Sequence, residues 1–136
     1  MVDIEYRCAD CETTSKANVG QAIINSQLKW YLSYVCEHCK SAIEMDDFGF
    51  PPDNIRRQII DKEGEWKLII DPAESKNKAK IIKILRRNLN LPIEEASKLL
   101  KTFPNIGYGT KLEMQWLEQL LSNENIKSSV EKILSS

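Results

Sequence analysis

Alternation and periodicity of apolar positions divide the chain into segments of different kinds. Leu28-Lys29-Trp30-Tyr31-Leu32-Ser33-Tyr34-Val35 reads as a strand, and just before it Ser15 is placed to cap a short helical stretch through Ala17, Ile23 and Ile24. After Pro51-Pro52, the run Asp53 to Lys62 carries Ile55 and Ile59 on one face and meets Gly64 as a stop, which predicts a helix. Glu65-Trp66-Lys67-Leu68-Ile69-Ile70 alternates and then turns apolar, as a sheet strand does, and Asp71-Pro72 ends it.

Three helices are expected beyond that strand. The first runs from about Ser75 to Leu89, with Ile81, Ile82, Leu85 and Leu89 on one face and Lys76, Lys80, Lys83 and Arg87 opposite, flanked by Arg86. A second opens at Pro92, carries Glu94 and Glu95 in its first turn, and would bury Ile93, Ala96, Leu99, Leu100 and Phe103. The third opens on the capping box Thr110-Lys111-Leu112-Glu113 and would bury Leu112, Trp116, Leu117, Leu120 and Leu121. Gly107-Tyr108-Gly109-Thr110 reads as the entry turn of that helix, since it lacks the lysine and length of a phosphate loop. Residues 126–133 alternate weakly and fit a closing strand or a short helix. The pattern as a whole predicts an α+β chain. A small module over residues 1–50 is followed by a connecting helix over 51–64 and a compact domain over 65–136, with a joint at Asp46-Asp47-Phe48-Gly49-Phe50-Pro51-Pro52.

Cysteine usage adds the chemistry. All four cysteines fall in the first 39 residues as two C-x-x-C pairs, Cys8/Cys11 and Cys36/Cys39, separated by 24 residues. That spacing is the pattern of two zinc knuckles aiming four sulfurs at one tetrahedral centre, in a ribbon or a treble clef, so one structural zinc is expected. A dithiol redox site needs one reactive pair at a helix start, and the matching second pair argues against it. Catalytic zinc keeps an open position and draws mostly on His or carboxylate ligands. The single histidine, His38, sits inside the second knuckle and reads as a polar turn residue. With no other histidine, and with Asp46-Asp47 read as solvated linker, no enzymatic activity is expected.

Charge splits along the same line. The whole chain of 136 residues has a formal net charge of -1, but residues 1–64 hold 7 basic and 11 acidic side chains against 12 and 9 in residues 65–136. Asp3, Glu5, Asp10, Glu12, Glu37, Glu44, Asp46 and Asp47 surround the cysteine module and would repel phosphate. Nucleic acid is therefore not an expected partner, and Trp30, Tyr31 and Tyr34 read as core or as a protein-binding face. The first residues show no basic stretch leading into an apolar segment, and no apolar run approaches the roughly 20 residues that cross a bilayer. These features lead us to expect a soluble, cytoplasmic monomer.

A family resemblance adds to this reading. Lys78, Ile81, Ile82, Lys83, Leu85, Arg86, Leu91, Ile93, Glu95, Ala96 and Leu99 line up without a gap on the hallmark K-x-x-V-I-K-x-V-R, short loop, L-x-L-x-E-A-x-x-L-V. Residues 65–134 thus resemble the carboxy-terminal domain of the acidic stalk protein of the large ribosomal subunit. The resemblance implies a βααβαβ domain and a protein-docking role for Lys78, Lys83 and Arg86, within a basic group that also holds Lys76, Lys80 and Arg87. Asn90 and Pro92 replace the family's loop glycines, Ser97 replaces its mid-helix lysine, and a cysteine module stands where the family has its dimerisation segment. The whole arrangement, with Glu63-Gly64-Glu65-Trp66 between the two parts, is similar to small immunity proteins encoded beside bacterial polymorphic or contact-dependent toxins. That likeness implies a binding protein that neutralises a cognate toxin. The stalk likeness alone implies a translation-associated factor-binding protein.

Overall fold

The computed structural model describes residues 2–133. It divides into two compact units, one ending at Gly64 and the other beginning at Glu65.

The first unit is an antiparallel meander of β1 (Val2–Arg7), β2 (Thr14–Ile24), β3 (Gln27–Val35) and β4 (Ala42–Phe48), followed by α1 (Asp53–Glu63). Strand alternation places Ile4, Ala17, Val19, Trp30, Leu32 and Tyr34 on one face, where they form a core with Ile55 and Ile59 of α1. The helix read as a connector is therefore part of this unit. Its Gln58 side chain also binds β1 as a paired strand would: Oε1 accepts from the Glu5 N–H at 2.7 Å and Nε2 donates to the Glu5 carbonyl at 3.0 Å. This occupies backbone groups that a sheet edge otherwise exposes. Gly64 stops α1 at φ 92°, its N–H reaching the Ile60 carbonyl at 2.7 Å.

Two expectations fail in this unit. Residues 15–24 are strand, not helix. Ala17 and Val19 turn inward while Lys16 and Asn18 turn outward, and the Ser15 hydroxyl meets the Tyr34 hydroxyl at 2.9 Å instead of capping a helix. The missed signal was Asn25-Ser26, whose φ values of 50° and 64° make the two-residue turn that a β2–β3 hairpin requires. Nor is Asp46-Asp47-Phe48 a joint, because these residues end β4, paired with Tyr31, Trp30 and Lys29. Val2, Ile4 and Tyr6 alternating with Asp3, Glu5 and Arg7 signal β1, and Ile43 and Met45 between Glu44 and Asp46 signal β4 in the same way.

The second unit runs β5 (Trp66–Ile70), α2 (Lys78–Leu89), α3 (Ile93–Leu99), β6 (Asn105–Gly109), α4 (Lys111–Ser122) and β7 (Ser128–Lys132). This is the expected βααβαβ order, and residues 128–132 settle the open choice as strand. β5 lies centrally in an antiparallel sheet ordered β6-β5-β7, with Leu68 and Ile70 wholly buried. α4 packs against β5 and β7, and α2 against α3 and α4. Ile81, Ile84 and Leu85 of α2 and Met114, Leu117 and Leu121 of α4 are buried. The first helix starts at Lys78 rather than Ser75, because residues 72–77 form a 3-10 turn whose Ala73 N–H donates to the Asp71 carboxylate at 2.9 Å. Lys76 therefore precedes the helix. Gly107-Tyr108-Gly109 belongs to strand β6, so the helix entry is Thr110 alone. Ile93, expected in the core, is 56% exposed at the first position of α3, and Ala96 takes the inward place.

The capping box at Thr110 forms fully. Glu113 N–H donates to the Thr110 hydroxyl at 3.2 Å, Thr110 N–H donates to Glu113 Oε1 at 3.1 Å, and both residues are buried. Thr110→Ala should cost about 1 to 2 kcal/mol, at the upper end for such caps because the cap is buried. Urea unfolding should show this as a lower midpoint with an unchanged slope.

Candidate metal centre

Two hairpins bring the cysteines together. β1–β2 pairing closes at Arg7 and Thr14 and β3–β4 pairing at Val35 and Ala42, so each turn spans six residues, 8–13 and 36–41, at the same end of the sheet. The two turns share one internal bonding pattern. Cys8 N–H donates to the Thr13 carbonyl at 3.0 Å and Glu12 N–H to the Cys8 carbonyl at 2.9 Å. Cys36 N–H donates to Ser41 at 2.8 Å and Lys40 N–H to Cys36 at 3.0 Å in the same way. The residue after each second cysteine takes the left-handed conformation, Glu12 at φ 61° and Lys40 at φ 66°. No helix supplies a ligand, so the module is a ribbon and not a treble clef.

The four Sγ atoms lie within 4.8 Å of one another. Across the hairpins, Cys8 and Cys39 are 3.6 Å apart and Cys11 and Cys36 3.5 Å. A tetrahedral ion with metal–sulfur bonds of about 2.3 Å requires sulfur separations of about 3.8 Å, so the cluster fits one metal ion with a small adjustment. Cys8 and Cys36 are buried, Cys11 is half-buried and Cys39 exposed, so the centre is anchored inside the sheet and open at its tip. His38 is exposed and outside the ligand set.

The surroundings divide the sulfurs electrostatically. The Cys39 N–H, the Tyr34 hydroxyl and the His38 N–H stabilise the Cys36 thiolate against its burial and hold it down to about 5. Ser41 lowers Cys39 in the same direction. For Cys8, the N–H groups of Cys11 and Asp10 favour the thiolate. Burial and the neighbouring sulfurs of Cys39 and Cys11 outweigh them together and push it up to about 11. Four thiolates cannot share this space without a cation to offset their repulsion.

The basic residues of the second unit do not form one stripe. All six, Lys76, Lys78, Lys80, Lys83, Arg86 and Arg87, are exposed, but their neighbours separate them. Lys80 Nζ donates to the Glu124 carbonyl at 2.6 Å, and the Arg87 guanidinium pairs with the Glu124 carboxylate. Lys78 Nζ sits 4.9 Å from the centre of the Phe103 ring. Lys83, Arg86 and Arg87 border a groove of about 620 Å³ between α2 and the start of α3, with Ile82, Leu91 and Ile93 among its apolar lining. Lys76, Lys78 and Lys80 lie outside it. The sequence pointed to the cations but not to the groove, which arises from the exposed Ile93 and from the tight α2–α3 turn at Asn90, in the left-handed conformation at φ 57°.

Of the three aromatic residues flagged beside the metal module, Trp30 and Tyr34 are core and Tyr31 lies half-buried on the opposite sheet face. No helix among the described residues is long and apolar enough to cross a membrane.

Three outcomes follow for the centre. Cys36→Ser should abolish stoichiometric metal binding and unfold the first unit while the helical circular dichroism of the second persists, because α2, α3 and α4 share no core with the cysteines. At pH 7 the metal-free Cys8 holds its proton and Cys36 does not. Metal uptake must therefore release at least one proton, and apparent affinity should climb at least about tenfold per pH unit between about pH 6 and 8, read by competition with a chromophoric chelator. Glu12→Gly and Lys40→Gly should each raise the melting temperature of the metal-loaded chain, by up to about 1 kcal/mol of stability, because L-residues are strained at these φ values.

Comparison with protein-family models, with curated proteins and with solved structures finds no match to this chain.

Proposed function

We propose that the chain is a non-enzymatic zinc protein that works by holding another protein, and that this partner is a cognate bacterial toxin which it neutralises. The binding reading rests chiefly on the groove beside α2. An isoleucine left 56% exposed next to an apolar lining, with Lys83, Arg86 and the Glu124-paired Arg87 at the border, joins a surface worth burying to charges that orient what buries it.

Zinc suits the cysteine cluster because a tetrahedral all-thiolate site favours it and its geometry carries no electronic preference of its own. Four thiolates complete the shell and leave no position for a substrate, so the ion's work is to hold the hairpins together. Structural zinc contributes roughly 10 to 16 kcal/mol in small modules of this kind.

Neutralising a toxin requires tight holding without chemistry, a task that two compact units of opposite charge balance would suit. The likeness of the whole arrangement to toxin-associated immunity proteins supports this choice of partner. The stalk likeness supports a second reading, a translation-associated factor binder, since Lys83 and Arg86 border the groove while Lys78 lies over Phe103.

Elemental analysis of purified protein should find one zinc per chain. A growth assay in cells producing the product of the adjacent toxin-like gene should show protection by this chain, and the two proteins should co-purify. Ile93→Asp and Arg86→Glu should each weaken binding by about 30-fold or more, with stability changed by less than about 0.5 kcal/mol, because both side chains are exposed and the one hydrogen bond lost is the long 3.4 Å contact of Arg86 Nε to the Leu91 carbonyl. Full protection by both variants would sink the groove assignment. Absence of protection by the unaltered chain, with binding to an elongation factor instead, would favour the second reading.

A further inference from the structure

The face of the first sheet turned away from α1 carries a cleft that neither the metal centre nor the α2–α3 groove accounts for. Alternation puts Tyr31 and Ser33 of β3 on this face, with Asp46 and Glu44 of β4 directly opposite them and Gly20 of β2 on the other side of Tyr31. Gly20 decides which way the ring lies. A Cβ built there would come within 2.4 Å of Tyr31 Cζ and of its hydroxyl oxygen, so the ring leans over β2 into space that only glycine leaves. The backbone at Gly20 is not in the left-handed region, so the glycine serves space and not conformation. On the β4 side of the ring lies a cleft of about 400 Å³ lined by Tyr31, Ser33, Glu44 and Asp46, with Leu32 and Met45 between them along the two strands.

The chemistry of these walls is specific. A tyrosine, a serine and two carboxylates share its lining, a set that suits a planar cation able to stack on a ring and donate several N–H bonds at once. A guanidinium has that shape and an ammonium does not. Asp46 already faces Lys29 at 3.6 Å, whereas Glu44 makes no ion pair among the described residues and is the main acceptor. The surrounding charge agrees, since residues 1–64 hold 11 acidic side chains against 7 basic ones. We propose that this cleft docks an arginine side chain presented by a basic protein partner, independently of the groove beside α2.

The test uses the full zinc-loaded chain, labelled with nitrogen-15 and titrated with three blocked Gly-X-Gly peptides in which X is arginine, lysine or citrulline. The arginine peptide should shift the amides of Gly20, Tyr31, Ser33, Glu44 and Asp46, with the lysine peptide at least about threefold weaker and the uncharged citrulline peptide inert. Gly20→Ala, which pushes the Tyr31 ring toward β4, and Glu44→Gln should each weaken the arginine response at least about fivefold while the remaining sheet resonances stay in place. If Gly20→Ala disturbs the sheet, Glu44→Gln alone decides. Equal responses to arginine and lysine scattered over acidic residues elsewhere, or an arginine response that survives Glu44→Gln, would overturn the proposal.

Discussion

The first unit depends on the convergence of four sulfurs at one end of its sheet. Two hairpin turns of equal length place them within 4.8 Å of one another, and the N–H groups of the turns offset only part of the repulsion that follows when they ionise, since Cys8 is still pushed up. The backbone N–H groups that lower Cys36 do so by orienting dipoles at its sulfur, and the same crowding raises Cys8. A metal ion held by the four sulfurs would resolve this conflict in one step. It would turn mutual repulsion into a crosslink between the β1–β2 and β3–β4 hairpins, whose ladders close on the two cysteine turns. The core beneath them is modest, with α1 giving it only Ile55 and Ile59, so the sheet leans on its sulfur end more than a larger domain would.

What the sequence disclosed depended on how local each constraint was. The clustering of the four cysteines was legible because a C-x-x-C turn fixes its own geometry within a few residues. The capping box, the α1 stop at Gly64 and the strand β5 were legible for the same reason. β2 was misread because a strand covered on one face need alternate only where it meets the core. At Gly20, Gln21 and Ala22 the alternation gives way to a residue chosen for the space of a neighbouring ring and to two half-buried positions. Ala17, Ile23 and Ile24 then mimic a helical face. The turn residues Asn25 and Ser26 carried the contrary signal and were the stronger one, since backbone conformation is harder to override than side-chain spacing.

The basic residues illustrate the opposite limit. Helical periodicity told which side chains share a face, but it could not tell which are occupied, because the occupant is remote. Glu124 takes up both Lys80 and Arg87 from 44 and 37 positions away in the chain. Exposed pairs of this sort add little stability, about 0 to 1 kcal/mol, yet they determine which cations remain available to a partner. Lys83 is distinguished from its neighbours by this subtraction more than by anything in its own sequence position, and Arg86, whose Nε donates to the Leu91 carbonyl at 3.4 Å, makes no ion pair among the described residues.

The two proposed binding surfaces share a design in spite of their opposite charge. Each sets charged groups beside something a partner would gain by covering, an exposed isoleucine in the second unit and a tyrosine ring in the first. The acidic excess of residues 1–64 and the basic excess of 65–136 nearly cancel, leaving a net charge of -1, so a partner beyond a screening length of about 8 Å feels little overall pull in either direction. Attraction at long range cannot then select a partner. Charge acts once the surfaces are close, where it favours one orientation over another, and the apolar or aromatic element fixes how long the complex lasts. A chain built this way would discriminate by arrangement, as the proposed role of recognising one partner closely among others of similar charge requires.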